Sequence, residues 1–306
     1  MPLVSSKPIL EEAYRRHFAV GAFNANNMEQ VQAIVEVAQE EHAPVILQVS
    51  QGAIRYAGME FAAGLVRIAA SLVNVPVVLH LDHGTDFEQN VLCLRAGFTS
   101  LMYDGSKRPF EENVATTRRI VEIAHIVGIP VEAELGQVLK VTDKVTQDDV
   151  MAAMTDPDQA EEFVRRTECD SLAVACGSVH AMTSREASLD IDRLKAIRAR
   201  VSIPLVLHGS SGVRHESILE AIENGIAKVN VATALNQALI AGIRRAVAEL
   251  PDETDPRKII GVGRDEVKEA VREKIRLFGS AGTIDSTGGF TSPKKQFRSA
   301  ELGEVE

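Results

Sequence analysis

Three histidines stand just past short apolar runs: His83 in VPVVLHLDHG, His180 in SLAVACGSVH and His208 in IPLVLHGSSG. A neutral imidazole is a good ligand for a divalent metal ion, and three of them with an open fourth position form a catalytic zinc arrangement. Such an ion polarises an oxygen and takes up developing negative charge. The run LHLDHG adds His80 and Asp82 beside His83. Two-residue periodicity puts His80 and Asp82 on one strand face, with His83 where the strand turns into its loop. A lone histidine or aspartate at a strand end is more often structural, but two imidazoles and a carboxylate together point to chemistry, while His80 reads as a hydrogen-bonded interior residue.

VEAELG places Glu132 and Glu134 on one face of a further run. Carboxylates inside an apolar strand end need a metal or a cation. For Glu132, a salt bridge to an interior lysine or arginine weighs as much as a metal. Asp104 ends TSLMYD and can join Glu134 at a metal. Directly after His208, Gly209, Ser210, Ser211 and Gly212 offer small side chains and close backbone approach, and Asn230 and Thr233 of KVNVAT add donors. That is phosphate-binding chemistry, at loops that commonly seat phosphate in one fold.

The elements needed to bring these groups together are legible. Apolar runs cover 20–24, 44–50, 76–84, 99–104, 130–136, 170–178, 204–212 and 227–233. Pro44, Pro76, Pro130 and Pro204 begin four of them, where a strand tolerates proline. The runs are continuous rather than alternating, as in parallel strands covered on both faces. Helical periodicity fills the intervals, at 28–42, 109–128 and 193–200, and a further helix is expected near 264–278. Eight strand–helix units predict a (β/α)8 TIM barrel with a C-terminal helical extension, in which strand ends converge on one mouth. An open doubly wound sheet is the competing architecture, but no GxGxxG follows the first run. One domain is expected over 1–280, followed by a flexible polar tail over 281–306.

Composition narrows the class. The chain has 306 residues, 45% of them hydrophobic, and a formal net charge of −10. That acidity disfavours a nucleic-acid surface, so an anionic substrate needs a local positive site. Cys93, Cys169 and Cys176 form no CxxC pair and read as buried free thiols of a reducing compartment. No secretion signal and no membrane-spanning stretch is evident, so a cytoplasmic enzyme without a membrane partner is expected.

Taken together, GAFNANNMEQVQAI, LHLDHGTDFE, AGFTSLMYDGS, VEAELGQV, LAVACGSVHA, PLVLHGSSG, KVNVAT, DPRK and LFGSAG resemble the class II, metal-dependent ketose-bisphosphate aldolases, which act on fructose or tagatose 1,6-bisphosphate. The resemblance runs from about residue 3 to about 280. It implies a lyase of carbohydrate metabolism that reversibly cleaves a ketose 1,6-bisphosphate to dihydroxyacetone phosphate and glyceraldehyde 3-phosphate. It implies one catalytic Zn2+ per subunit on His83, His180 and His208. Asp82 is implied as the acid/base at the C4 oxygen, and Asp104 and Glu134 as carboxylates holding the metal in an alternative inner position. Ala181, Gly209, Ser210, Ser211, Asn230, Val231, Ala232 and Thr233 match segments that bind dihydroxyacetone phosphate; Asn24 and Ser50 match substrate-side positions near the mouth. A monovalent cation near the phosphate and a homodimer or homotetramer are also implied, with 236–245 and the C-terminal helix as candidate contacts.

The chain departs from the family pattern in three places. The Gly-Gly-x-Glu-Asp loop after the fifth strand reads GQVLKVTDKVTQDD, with Leu139 and Lys140 at the glycines, Thr142 where the glutamate is expected, and Asp143 retained. Ala181 replaces the glycine after the second histidine, and Ala232 the aspartate of Asn-x-Asp-Thr. The last change resembles the tagatose branch. Tagatose 1,6-bisphosphate or another ketose phosphate is therefore an alternative substrate. A non-catalytic sugar-phosphate-binding or partner-stabilising barrel is the alternative to an enzyme.

Overall fold

A computed structural model describes residues 3–139, 146–179 and 187–292. Eight strands are present: β1 (Val20–Asn24), β2 (Val45–Ser50), β3 (Val77–Asp82), β4 (Leu101–Tyr103), β5 (Val131–Leu135), β6 (Ser171–Val174), β7 (Leu205–Leu207) and β8 (Ile226–Val231). They run in the order β3-β2-β1-β8-β7-β6-β5-β4, and the pairs are parallel. Parallel bridges His80–Ser100 and Gly84–Tyr103, with Leu81 N–H donating to Ser100 O at 3.1 Å, close the seam between β3 and β4. The result is the expected (β/α)8 barrel.

Every residue of β1, β3, β5 and β8 is buried, which is why these runs are apolar on both faces. The surrounding helices bury one stripe each. In Met28–Glu40, capped where Asn27 accepts from Gln30 N–H, the buried side chains include Val31, Ile34, Val35 and Ala38. In Phe110–Ile126 they include Ile120, Val121 and Ala124. Ser6–Arg16 contributes Ile9 and Leu10 to a second apolar cluster with Val20, Ile46 and Val78. Burial pushes the thiol of Cys93 up to about 11 and those of Cys169 and Cys176 up to about 12, as befits core thiols.

Two boundaries differ from expectation. The C-terminal helix spans Pro256–Leu277, starting well before 264, because Asp255 caps it and Pro256 suits its first turn. It buries Val267, Val271 and Ile275, packing against the helices Thr233–Glu249 and Met28–Glu40, so its apolar face is spent within the chain. The polar stretch after Gly279 is also not a free tail as far as 292. Gly282 N–H and Ile284 N–H donate to the carbonyls of Glu41 and His42 at 2.8 and 2.9 Å. Ile284 is buried, and the Phe290 ring stands 6.4 Å from that of Phe18. Residues 293–306 lie outside the described residues.

Candidate active site

The strand ends bring His83, His208, Asp82, Asp104 and Glu134 to one mouth. β3 ends at Asp82, and His83 turns out of the strand with φ +49°, an uncommon conformation for a side chain other than glycine. Its Nδ1 meets Asp104 Oδ2 at 2.8 Å, and Asp104 Oδ1 accepts from Ser106 Oγ–H at 2.6 Å. Opposite, His208 Nε2 donates to Glu132 Oε1 at 2.9 Å. Each imidazole thus has one nitrogen against a carboxylate, and the other two nitrogens, His83 Nε2 and His208 Nδ1, face each other at 3.2 Å. A carboxylate on the far nitrogen is the usual support of a metal-ligating histidine.

Glu134 completes the set. Its Oε2 is buried and has no hydrogen-bond partner among the described residues, yet lies 3.5 Å from His208 Nδ1. Burial, with repulsion from Asp104, pushes the Glu134 carboxyl up to about 8. His83, Glu134 and His208 offer ligand atoms within 4.8 Å of one another. An orphaned carboxylate oxygen beside two converging imidazole nitrogens fits a divalent cation, and a metal would supply the missing partner for all three. Asp104 sits against His83 rather than in this trio.

The charges around the trio are arranged for it. Burial lowers His208, so its ring stays neutral and able to ligate. Burial also lowers His83, but Asp82, Asp104 and Glu134 outweigh it and raise this ring to about 10, so a metal must displace a proton there. Behind them, Lys228 Nζ donates to Glu132 Oε2 at 2.7 Å and holds that carboxyl well below the usual range against the cost of burial. Lys228 is therefore the cation that Glu132 required. His80 is an interior residue, bonded through Nδ1 to Ser100 Oγ at 2.8 Å, and burial and Lys228 lower it to about 3.

Asp82 stands just outside the trio, with Oδ1 3.9 Å from His83 Nε2. Asn24 Nδ2 donates to its Oδ2 at 2.7 Å, and Asn230 Nδ2 approaches its Oδ1 at 3.4 Å. Burial raises its pKa, but the charge of His83 and the Asn24 bond more than offset this, so the carboxylate is ionised. Gln48 Nε2 donates to Asn24 Oδ1 at 2.7 Å and so orients the Asn24 amide. Gln48 has a role that sequence reading missed; a lone glutamine inside VILQVS was its only signal.

The candidate anion-binding elements follow β7 and β8. Gly209 adopts φ +67°, and a Cβ there would stand 3.1 Å from Val138 Cγ1 and from the Val179 carbonyl carbon, so only glycine fits without displacement. It leads into the short turn Ser210–Gly212, where Ser210 Oγ–H donates to Asn230 O at 2.6 Å. This bond ties the two loops together, with Ser211 half-buried beside it. Val231 ends β8, Ala232 follows, and Thr233 opens the helix Thr233–Glu249, which no side chain caps. Uncapped N–H groups at a helix start attract an anion. Ser50 pairs in register with Asp82 and accepts from Ala53 N–H at 3.2 Å, capping the helix Gln51–Ala57 at the rim.

The description "Fructose-bisphosphate aldolase class-II" belongs to the family model that matches residues 4–283. The chain belongs to the class-II fructose-bisphosphate aldolase family. It is 47% identical over 285 residues to the fructose-bisphosphate aldolase of Geobacillus stearothermophilus, covering 92% of this chain and 99% of that one. It is 44% identical over 286 residues to that of Staphylococcus aureus strain Mu50, with the same coverage. Among solved structures, the YdjI aldolase of Escherichia coli K12 is 38% identical, with a TM-score of 0.80 over 92% of this chain and 100% of that one. The enzyme is thus a class II aldolase, a lyase that acts on a phosphorylated sugar.

His180 and Ala181 lie outside the described residues, as do Lys140, Thr142 and Asp143 of the divergent loop.

Proposed function

We propose that the chain catalyses reversible aldol cleavage of a ketose 1,6-bisphosphate of the fructose type, giving dihydroxyacetone phosphate and glyceraldehyde 3-phosphate. His83 and His208, with His180 as third ligand, would hold one zinc ion per subunit; Asp104 and Glu134 offer its inner alternative position. When bound, the ion supplies Lewis-acid polarisation of the substrate's C2 carbonyl and C3 hydroxyl oxygens.

The observation that carries this reading is the pairing of an ionised Asp82 with the donor trio, 3.9 Å from His83 Nε2. A carboxylate at that point accepts the C4 hydroxyl proton in cleavage and returns it to the aldehyde oxygen in condensation. Asn24 and Asn230 hold Asp82 in place. Gly209, Ser210, Ser211 and the start of the helix Thr233–Glu249 bind the phosphate away from the reacting bond, and a monovalent cation beside it would balance charge. That remote binding positions the C3–C4 bond. No described helix is long and apolar enough to cross a membrane, and the reading assigns the enzyme to cytoplasmic sugar metabolism.

A second reading changes the ketose. Ala232, where the family pattern has aspartate, favours tagatose 1,6-bisphosphate or another ketose phosphate. The test is a panel of ketose phosphates assayed for triose phosphate, with metal content measured on the same sample. Fructose 1,6-bisphosphate is expected to turn over, to stop with a chelator and to resume with zinc. Faster turnover of tagatose bisphosphate would select the second reading. Zinc-loaded protein that binds ketose phosphates and cleaves none would overturn both, in favour of a binding barrel.

A further inference from the structure

Gln30 is fully buried in the helix Met28–Glu40, among Val31, Ala33 and Ile34. A buried amide costs stability unless its hydrogen bonds are made. The Gln30 side chain makes its bonds outside its own helix. Its Oε1 accepts from Asn26 N–H at 2.9 Å, and its Nε2 donates to Asn236 Oδ1 at 3.0 Å. Asn26 Nδ2 donates to the same Asn236 oxygen at 3.0 Å. One amide oxygen thus gathers two donors from the chain that follows β1.

The two segments joined here carry different parts of the site. β1 pairs with β8 from Val20–Lys228 to Phe23–Val231, and there the ladder ends. Beyond it, the described hydrogen bonds between residues 24–40 and the helix Thr233–Glu249 all end on Asn236 Oδ1. On one side, Asn24 stands two residues before Asn26 and donates to Asp82 Oδ2. On the other, Asn236 N–H donates to Ala232 O at 3.1 Å, so Asn236 belongs to the first turn of the helix whose start has no side-chain cap. An apolar residue of similar size at position 30 would fill the same space without the polar cost, so what the amide adds is the tie.

We propose that Gln30 and Asn236 are positioning residues for the aldol reaction: they lock the first turn of the helix Thr233–Glu249 to the loop that aims Asn24 at Asp82, so that an anion seated on that turn fixes the proton-transfer group. The proposal rests on the reading above that places the substrate's phosphate at this helix start. It gives binding energy far from the C3–C4 bond a route to the reacting atoms. The route is short: the first turn, Asn236, then Asn26 and Gln30, then Asn24 and Asp82. Residues that act through Asn24 touch neither substrate nor metal. Loss of the tie therefore appears in kcat rather than in KM.

Two measurements on the zinc-loaded full chain test this. The first follows amide hydrogen exchange with and without saturating inorganic phosphate. In the wild type, phosphate should slow exchange over both 233–236 and 24–30; in Asn236→Leu it should slow 233–236 alone. Wild-type protection of 233–236 without 24–30 overturns the tie and leaves the phosphate seat standing, as does protection of 24–30 that persists in Asn236→Leu. Protection of neither segment removes the seat and the tie together. The second is steady-state cleavage of whichever ketose bisphosphate the wild type turns over; a wild type that cleaves none overturns the proposed reaction and this proposal with it. Asn236 is exposed, so Asn236→Leu should keep the wild-type melting temperature while lowering kcat about 10–100-fold at a nearly constant KM. Asn236→Asp retains the acceptor oxygen and adds a negative charge near the phosphate, so it should keep kcat and raise KM about 2–5-fold. Gln30→Leu should lower kcat as Asn236→Leu does, and the double variant should be no slower than the slower single one. Unchanged kcat in Asn236→Leu, an Asn236→Asp variant as slow as Asn236→Leu, or a double variant whose loss multiplies the two single losses overturns the proposal.

Discussion

Glu132 Oε1 accepts a hydrogen bond from His208 Nε2 at 2.9 Å, and this one contact determines which nitrogen of His208 faces the mouth. With its proton on Nε2, the ring keeps the Nδ1 lone pair toward His83 Nε2. Lys228 fixes Glu132 from behind. By neutralising a buried charge, Lys228 thereby sets the tautomer of a histidine in the candidate metal site.

Glu132→Gln should weaken metal binding by about 10–100-fold, because the amide no longer enforces that tautomer. Competition with a chromogenic chelator reads the change directly. Wild-type affinity in the variant would remove Glu132 from the metal site. Lys228→Met strands the Glu132 charge and should cost about 3–5 kcal/mol in urea unfolding.

Asp82→Asn should lower kcat by roughly 10²–10⁴-fold, the span usual for a lost general acid/base. Metal content should stay at the wild-type level, since Asp82 is outside the trio of ligand atoms. Loss of metal with activity would make Asp82 a ligand instead.

Gly209→Ala should raise KM for the bisphosphate more than it lowers kcat. The added Cβ meets Val138 and Val179 at 3.1 Å in a left-handed backbone, a conformation that costs a side chain about 1–2 kcal/mol. Relaxing it shifts the anion-binding turn while the proton-transfer group stays in place. An equal fall in kcat and kcat/KM would place Gly209 in the chemistry rather than in phosphate binding.

At the opposite end of the barrel, Asp170 accepts from Lys7 Nζ, His125 Nε2 and Val131 N–H, each at 2.8 Å. Burial raises its pKa, but these three bonds outweigh burial and the net shift is downward. A carboxyl with a folded pKa below its unfolded value contributes stability that is present above the unfolded value and lost as pH falls through the folded one. Asp170→Asn should therefore lower Tm at neutral pH by roughly 2–4 °C. The gap from wild type should close as the pH falls below the carboxylate range. A constant gap across that range would mean that the charge contributes nothing.

The barrel was legible because parallel strands buried on both faces must read as unbroken apolar runs; seven observed strands fall inside those expected, and β8 starts one residue earlier, at Ile226. His83, Asp82 and His208 were legible because they sit where such a run stops. The early start of the last helix was written in Asp255 and Pro256, a cap and a first-turn proline, although apolar periodicity is weak until Val267. The docking of 280–292 was not legible. It depends on carbonyls of Glu41 and His42, and a Gly/Ser-rich composition carries no trace of them.

By itself, the sequence determined the kinds of donor present and the strand ends that hold them, since the two-residue period of a strand is a local property. Only the tertiary structure decided that Asp104 belongs to His83, that Glu132 joins His208 to Lys228, and that Glu134 is left with an unpaired oxygen. Those pairings run around the barrel, between residues separated by whole strand–helix units. The charge and tautomer of each group are set by the neighbour it meets there.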